Sequence, residues 1–332
     1  MESRFDFEEA RVIKELQEKK IKKALLQLPE GLKKEAVRLA NLFEKETSTE
    51  LFVSGETCWG GCDLALEEAK ILGVDLLIHY GHAPFMKKVE FPVLYVEMQD
   101  KEPINKLLEL SKQFLKDYKK LGLVCSIQHV YQLEEAKKYF EEQGKKVFIP
   151  TKKGYAYYDG HVVGCEYNSL KLISEKVDAF LVIGNQFHSL GAALSVKNPV
   201  YLLDVYNNEI VDMNKLRDKV LKQRAFAINN VKEARKVGLI IGLKPGQQFG
   251  SFKLLKKKFQ DQGKEVVTIT MREMTNDKLM NFYDIKAFVE LACPRIAIED
   301  YNKYERTIIT FREAQVALGE IQWEDLLEHG FL

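Results

Sequence analysis

Lys22-Lys23-Ala24-Leu25-Leu26-Gln27-Leu28-Pro29 is a basic doublet that runs into a short apolar strand and a turn. The layout returns at Lys119-Lys120-Leu121-Gly122-Leu123-Val124-Cys125-Ser126 and at Arg235-Lys236-Val237-Gly238-Leu239-Ile240-Ile241-Gly242. After each comes an amphipathic helical pattern and a second short strand: Leu51-Phe52-Val53, Lys146-Val147-Phe148-Ile149 and Glu265-Val266-Val267-Thr268-Ile269. A third strand starts near Asp75, Asp178 and Asp284 in turn. Strands alternating with helices spell a parallel α/β sheet. Their threefold recurrence predicts three Rossmann-like domains, at residues 1–110, 111–212 and 213–332.

Each copy has one cysteine in a loop setting that suggests chemistry. Cys62, Cys165 and Cys293 are 103 and 128 positions apart, about one small domain each. Cys62 and Cys165 each stand 13 positions before the Asp of their copy. Both follow Gly and precede an acid that can open a helix. Both are expected in the loop between second and third strands, at the carboxyl end of the sheet, where α/β proteins place ligands. The third copy has Met271 at the equivalent position, and Cys293 comes instead 9 positions after Asp284, past the third strand. Three thiolates meeting at a centre would leave one metal position open, as catalytic sites do.

Composition narrows the class. The chain has 332 residues, 46% of them hydrophobic, enough for two or three domains with real cores. No apolar run reaches the roughly 18 residues of a membrane span. The start Met1-Glu2-Ser3-Arg4-Phe5-Asp6 lacks an apolar signal region. These features predict a soluble cytoplasmic protein without a membrane partner. A net charge of +1 gives no global footprint for nucleic acid. Five cysteines without a secretory signal argue for reduced thiols, not a disulfide framework. A charged fraction of 30%, rich in Lys and Glu, hints at a heat-adapted source.

An ordered set of short motifs resembles the diphthamide synthesis enzymes, in the archaeal form of the first-step enzyme. The set comprises Leu28-Pro29-Glu30-Gly31-Leu32, Trp59-Gly60-Gly61-Cys62-Asp63, His79-Tyr80-Gly81-His82, Val163-Gly164-Cys165, Phe187 to Ala193, Lys244-Pro245-Gly246-Gln247 and Ala292-Cys293-Pro294-Arg295. The resemblance implies a homodimer of α/β subunits whose three domains surround a central iron–sulfur site in pseudo-threefold arrangement. It implies a 4Fe–4S cluster on Cys62, Cys165 and Cys293, with the fourth iron facing S-adenosylmethionine. The implied reaction splits the bond from sulfur to the amino-acid γ-carbon, and a 3-amino-3-carboxypropyl radical adds to C2 of a histidine in translation elongation factor 2. An external reductant is implied as well. Thiolates suit such clusters, and the protein's part is to position the sulfonium and exclude water and oxygen.

Other residues are weighed beside this set. Cys58 forms a C-x3-C pair with Cys62 but is read as a non-ligand of the cluster; Cys125, in an apolar strand, is read as buried packing. His79 and His82 bracket a turn, and His82 is taken as a cofactor contact, as is His188 at a strand-to-helix turn. Lys244, Gly246 and Gln247 are expected to open a helix whose amides hold the S-adenosylmethionine carboxylate. Asp63 and Glu166 are expected to cap helices, and Tyr155 to Tyr158 to form a packed β-segment. The helix around Lys253 to Lys258 reads as an amphipathic, solvated face.

The usual C-x3-C-x2-C motif of radical S-adenosylmethionine enzymes is absent, which argues against their barrel fold. The competing enzyme reading is a quinolinate synthase-like 4Fe–4S lyase, in which the open iron is a Lewis acid for a small dicarboxylic substrate. A non-catalytic partner subunit is disfavoured by the full cysteine set. A closed zinc site is disfavoured by the lack of a fourth ligand.

Overall fold

The computed structural model describes residues 3–331. The chain forms three sheets with the same strand order. The first holds β1 (Lys23–Gln27), β2 (Glu50–Val53), β3 (Leu76–Tyr80) and β4 (Val93–Val96), in the order β2-β1-β3-β4, all parallel. The second holds β5 (Lys120–Cys125), β6 (Lys146–Phe148), β7 (Ala179–Gly184), β8 (Val200–Asp204) and β9 (Glu209–Asp212), in the order β6-β5-β7-β8-β9. Its edge strand β9 is antiparallel to β8. The third holds β10 (Lys236–Gly242), β11 (Glu265–Met271), β12 (Ala287–Glu290) and β13 (Thr307–Ile309), in the order β11-β10-β12-β13, again parallel. This is the α/β class read from the repeat. Among the described residues no helix is long and apolar enough to cross a membrane.

The basic doublet and the Asp of each copy have a shared structural cause. Asp75 immediately precedes β3, the neighbour of β1, and its Oδ2 accepts the amides of Lys22 and Lys23, both at 3.0 Å. Asp178 does the same before β7, accepting from Lys119 and Lys120 at 2.8 Å. These bonds satisfy donors at the open start of a central strand. In the third copy Asp284 stands further from β12, and the Lys236 ammonium reaches it instead, at 2.6 Å. That bond, more than any other influence, lowers the Asp284 pKa.

The chain divides into two compact units. One runs to Pro103 and takes in Ile127–Tyr131; the other comprises Ile104–Ser126 and the chain from Gln132 onward. In the first unit, Val12, Leu16, Leu39 and Phe43 pack on Leu26 and Ile78 at one face of the sheet. Leu64 and Ala69 cover Leu25 and Leu77 at the other. In the second unit one apolar core runs through both sheets, from Val124, Phe180 and Leu202 to Val237, Val289 and Ile309. The helix Met213–Glu233 carries Val220, Ile228 and Val231 into this core; it starts at Asp212, whose side chain accepts from the Asn214 amide.

That helix also buries Arg224. Its guanidinium donates Nε to Glu313 Oε1 at 2.6 Å and Nη2 to Glu313 Oε2 at 2.7 Å. It also reaches the carbonyls of Ala297 and Ile308. Removing one partner strands the other charge away from water. We expect Arg224→Ala to cost roughly 3–5 kcal/mol in urea unfolding. Replacing Arg224 and Glu313 together by Met and Leu should recover most of that loss. A single-variant cost below about 1 kcal/mol would show that water reaches the pair.

Candidate functional site

Every residue singled out for the site lies beyond the carboxyl end of a strand. Cys62 sits in a turn between β2 and the helix Leu66–Leu72. Cys165 lies between β6 and the short helix Asn168–Lys171. Cys293 is the N-cap of the helix Pro294–Ile298, with Pro at its first position. All three are half-buried, whereas Cys58 and Cys125 are buried. Burial raises the Cys125 thiol well above its ordinary pKa, as suits a packing residue.

In the first unit the Cys62 turn rests on the segment after β3. A side chain on Gly61 would meet the Ala83 carbonyl at 2.6 Å, so the close approach needs glycine. Asp63 does not cap the helix, as its sequence position suggested. Its carboxylate turns back and accepts the Trp59 amide at 3.2 Å, while Ala65 stands at the N-cap without a side-chain bond. The organiser is Gln27, a buried polar residue at the end of β1 that sequence reasoning passed over. Its Nε2 donates to the Asp63 carbonyl at 2.7 Å, and its Oε1 accepts from the Ala65 amide at 3.1 Å and from His79 Nδ1 at 2.8 Å. Because Oε1 can only accept, His79 is protonated on Nδ1. His79 Nε2 then faces His82 Nδ1 at 3.1 Å.

In the second unit the flanks of Cys165 and Cys293 meet. Gly164, at φ +75°, lies against the Phe187 ring, where a Cβ would come within 2.2 Å. The Arg295 guanidinium sits over that ring, 4.6 Å from its centroid, and pairs with Glu299 at 2.7 Å. Gly164, Leu190, Gly191 and Pro294 help line this small cleft. Glu166 accepts the amides of Asn168 at 2.6 Å and Tyr155 at 3.2 Å. It thus holds the first amide of the short helix and also pins the loop before it. Tyr155 to Tyr158 are therefore a loop and not the β-segment expected. Gly154 at φ +66° and the Lys152 amide bond to Asp159 bend the chain too sharply for a strand. His188 occupies the first turn of the helix Gln186–Ser195, with Nδ1 on Asn185 Oδ1 at 2.9 Å. Asn185 also caps that helix.

Lys244 to Gln247 form a turn after β10 and do not open a helix. The helix begins at Phe252, capped by Ser251, because the Pro245-Gly246 turn first carries the chain onto the Cys293 loop. There Phe249 donates its amide to the Leu291 carbonyl at 2.9 Å. A Cβ on Gly242 would meet the Gln247 carbonyl at 2.6 Å and Ala292 Cβ at 2.8 Å. Lys244 is buried and ion-paired with Glu273. Glu290, at the end of β12, is a second organiser missed at the sequence level. It accepts the Ala292 amide at 2.8 Å and bonds the Cys293 backbone. Its burial raises its pKa to about 7 against the pull of those amides. For both Gln27 and Glu290 the available signal was a polar residue closing an apolar strand.

Desolvation holds His79 well below the usual imidazole range and brings His82 down to about 4. The unfolded chain takes up these protons near pH 6.5; the folded chain does so only well below that, His82 at about 4. Between those values the unfolded state binds more protons, so stability falls as the pH falls. In His82→Gln, with EDTA present, the slope over that interval should be shallower by up to one proton, about 1.4 kcal/mol per pH unit. The contribution of Glu290 is common to both proteins and cancels. Urea midpoints measured from pH 7 to pH 4 check this; equal slopes would mean that His82 is charged in the folded state.

The sequence model of the diphthamide synthesis protein family matches residues 28–327. A 2-(3-amino-3-carboxypropyl)histidine synthase of Pyrococcus horikoshii is 32% identical over 325 residues, covering 95% of this chain and 92% of that one. Subunit 1 of the human enzyme of that name is 29% identical, covering 97% of this chain and 74% of its own. The crystal structure of Dph2 from Pyrococcus horikoshii with a 4Fe-4S cluster superposes with a TM-score of 0.88 at 29% identity, covering 98% of this chain and 93% of that one. The whole-length match does not favour the lyase reading, and this chain belongs to the diphthamide synthesis protein family.

Proposed function

We propose that this chain is a 2-(3-amino-3-carboxypropyl)histidine synthase acting on translation elongation factor 2. It moves the 3-amino-3-carboxypropyl group of S-adenosylmethionine to C2 of a histidine imidazole and leaves methylthioadenosine. The observation that carries this reading is the family match across the whole site, from the Cys62 turn to the Cys293 helix. The donor set fits the cofactor: three half-buried, reduced cysteines in Gly- or Pro-flanked turns beyond strand ends.

Cys62, Cys165 and Cys293 hold a 4Fe–4S cluster in this reading. When bound, that cluster supplies the electron that opens the sulfonium at its γ-carbon. The protein's own task is placement. Glu290 fixes the Cys293 loop through its amides, and Gln27 fixes the Cys62 turn. Lys244, tied to Glu273, stiffens the turn in which Gly246 and Gln247 receive the carboxylate of S-adenosylmethionine. Gly246 lets the backbone approach that group closely. His188 presents Nε2 to the adenosyl part, since Nδ1 is engaged by Asn185. Arg295 and Phe187 cover the cleft beside the two loops and keep water from it. We further read the protein as a cytoplasmic homodimer served by an external reductant.

The test uses protein purified and reconstituted without oxygen. It is mixed with dithionite, S-adenosylmethionine and unmodified archaeal elongation factor 2. The expected product is that factor with its intact mass raised by one 3-amino-3-carboxypropyl group, together with methylthioadenosine. Cys62→Ala, Cys165→Ala and Cys293→Ala should each lose most of the cluster iron and the product. Cys125→Ala should keep the iron. An intact cluster with neither mass gain nor methylthioadenosine would overturn the reading.

A further inference from the structure

Cys58, His79 and His82 stand together in the first unit. One ligand atom from each, Sγ or a ring nitrogen, lies within 4.8 Å of the other two. Cys62, four positions along, is not a member of this group. The Asp63 carboxylate holds the Trp59 amide and so fixes the turn between the two cysteines. The C-x3-C pair therefore divides: one thiol goes to the two imidazoles and the other is kept for the cluster. We propose that Cys58, His79 and His82 bind one divalent transition-metal ion, distinct from the iron–sulfur cluster.

The distances suit such an ion. A tetrahedral centre with metal–nitrogen bonds near 2.0 Å and metal–sulfur bonds near 2.3 Å sets its ligands about 3.3–3.6 Å apart. His79 Nε2 and His82 Nδ1 are already 3.1 Å apart, so the rings need to part by only a few tenths of an ångström.

The tautomer suits it too. Gln27 Oε1 accepts a hydrogen bond from the Nδ1–H of His79, which leaves Nε2 with its lone pair toward His82. An outer partner that fixes the ring and frees the other nitrogen is the usual support of a metal-bound imidazole. The His82 ring is itself held by the Tyr80 carbonyl. Gln27 is anchored in turn by the Asp63 carbonyl and the Ala65 amide, so the support reaches the loop that carries both cysteines.

The donor set names the class of ion. Two imidazoles and a thiolate suit Zn²⁺ and its stand-in Co²⁺, not Mg²⁺ or Ca²⁺. Cys58 loses its thiol proton to solvent on binding, and the proton that His82 Nδ1 shares with His79 Nε2 passes to the other ring nitrogen of His82, so that both facing nitrogens offer lone pairs. Water or another external ligand completes the fourth position. The ion ties the Cys58 to Cys62 loop to the end of β3. Its role is to hold the Cys62 turn in place when the cluster is absent or damaged. Cys58 is 4% exposed and His79 is fully buried, so a bound ion is shielded from exchange.

The test is a Co²⁺ titration of full-length, cluster-loaded protein under nitrogen. We expect one Co²⁺ per chain beyond the iron, with a thiolate-to-Co²⁺ charge-transfer band in the near ultraviolet and the visible bands of four-coordinate Co²⁺. Zn²⁺ should displace it. Cys58→Ala should abolish the charge-transfer band while the iron content stays as in the parent. His82→Gln should weaken binding at least tenfold. Gln27→Met, which touches no metal, should weaken it about 10–100-fold. Circular dichroism of each variant checks that the unit is folded, and the half-buried His82 site provides a readout should Gln27→Met fail to fold. The inference does not depend on the cluster: Cys62→Ala protein without iron must show the same band. Cobalt that binds without a thiolate band overturns the proposal, as does a band lost in Cys62→Ala but kept in Cys58→Ala. So does wild-type protein that retains no Co²⁺.

Discussion

The second unit depends on one buried charge pair. Arg224 and Glu313 lie out of water, and a pair so placed is tolerable only if it is well hydrogen-bonded. Four of the five guanidinium N–H groups find acceptors. The guanidinium meets both carboxylate oxygens and the carbonyls of Ala297 and Ile308. Glu313 also accepts the Thr310 amide at 2.7 Å in a capping box. One side chain of the long helix thereby locates the end of β13, the helix that follows it and the helix that begins at Cys293. None of these can shift without exposing a charge or stranding a donor, so the Cys293 helix has little freedom to move.

The same economy recurs around each cysteine. A polar side chain receives the amides, or bonds the carbonyl, of the loop that carries the thiol. Gln27 serves the Cys62 turn, Glu166 the Cys165 loop and Glu290 the Cys293 loop. Two of these anchors close a central strand, where the backbone has run out of sheet partners and its neighbours need replacements. A loop fixed in this way presents its thiol in one geometry before any cofactor arrives, and little ordering remains to oppose binding.

Close glycine contacts complete the arrangement. Gly61 on Ala83, Gly164 on Phe187 and Gly242 on Gln247 each bring backbone nearer to its neighbour than a Cβ would permit. Two of the three directly neighbour a residue of a cysteine motif. Glycine there serves approach between chain segments as much as turn geometry.

By itself the sequence determined the α/β class, the recurring strands and the cysteines that stand in loops. The pleat and the helix repeat are local periodicities, and the basic doublets and Asp75 and Asp178 mark strand starts within a few residues. The cysteines were legible because Gly or Pro flanks them beyond apolar runs. Only the tertiary structure decided that Lys244 to Gln247 turn toward the Cys293 loop before any helix begins. It also decided that Asp63 reaches back to Trp59, and that Tyr155 to Tyr158 are held as a loop by Glu166. Most of all it decided the partners of Gln27, Glu290 and Cys58. Gln27 meets His79, a residue 52 positions away, because parallel strands set distant residues side by side. No local pattern encodes which side chains then share a hydrogen bond or gather round one point.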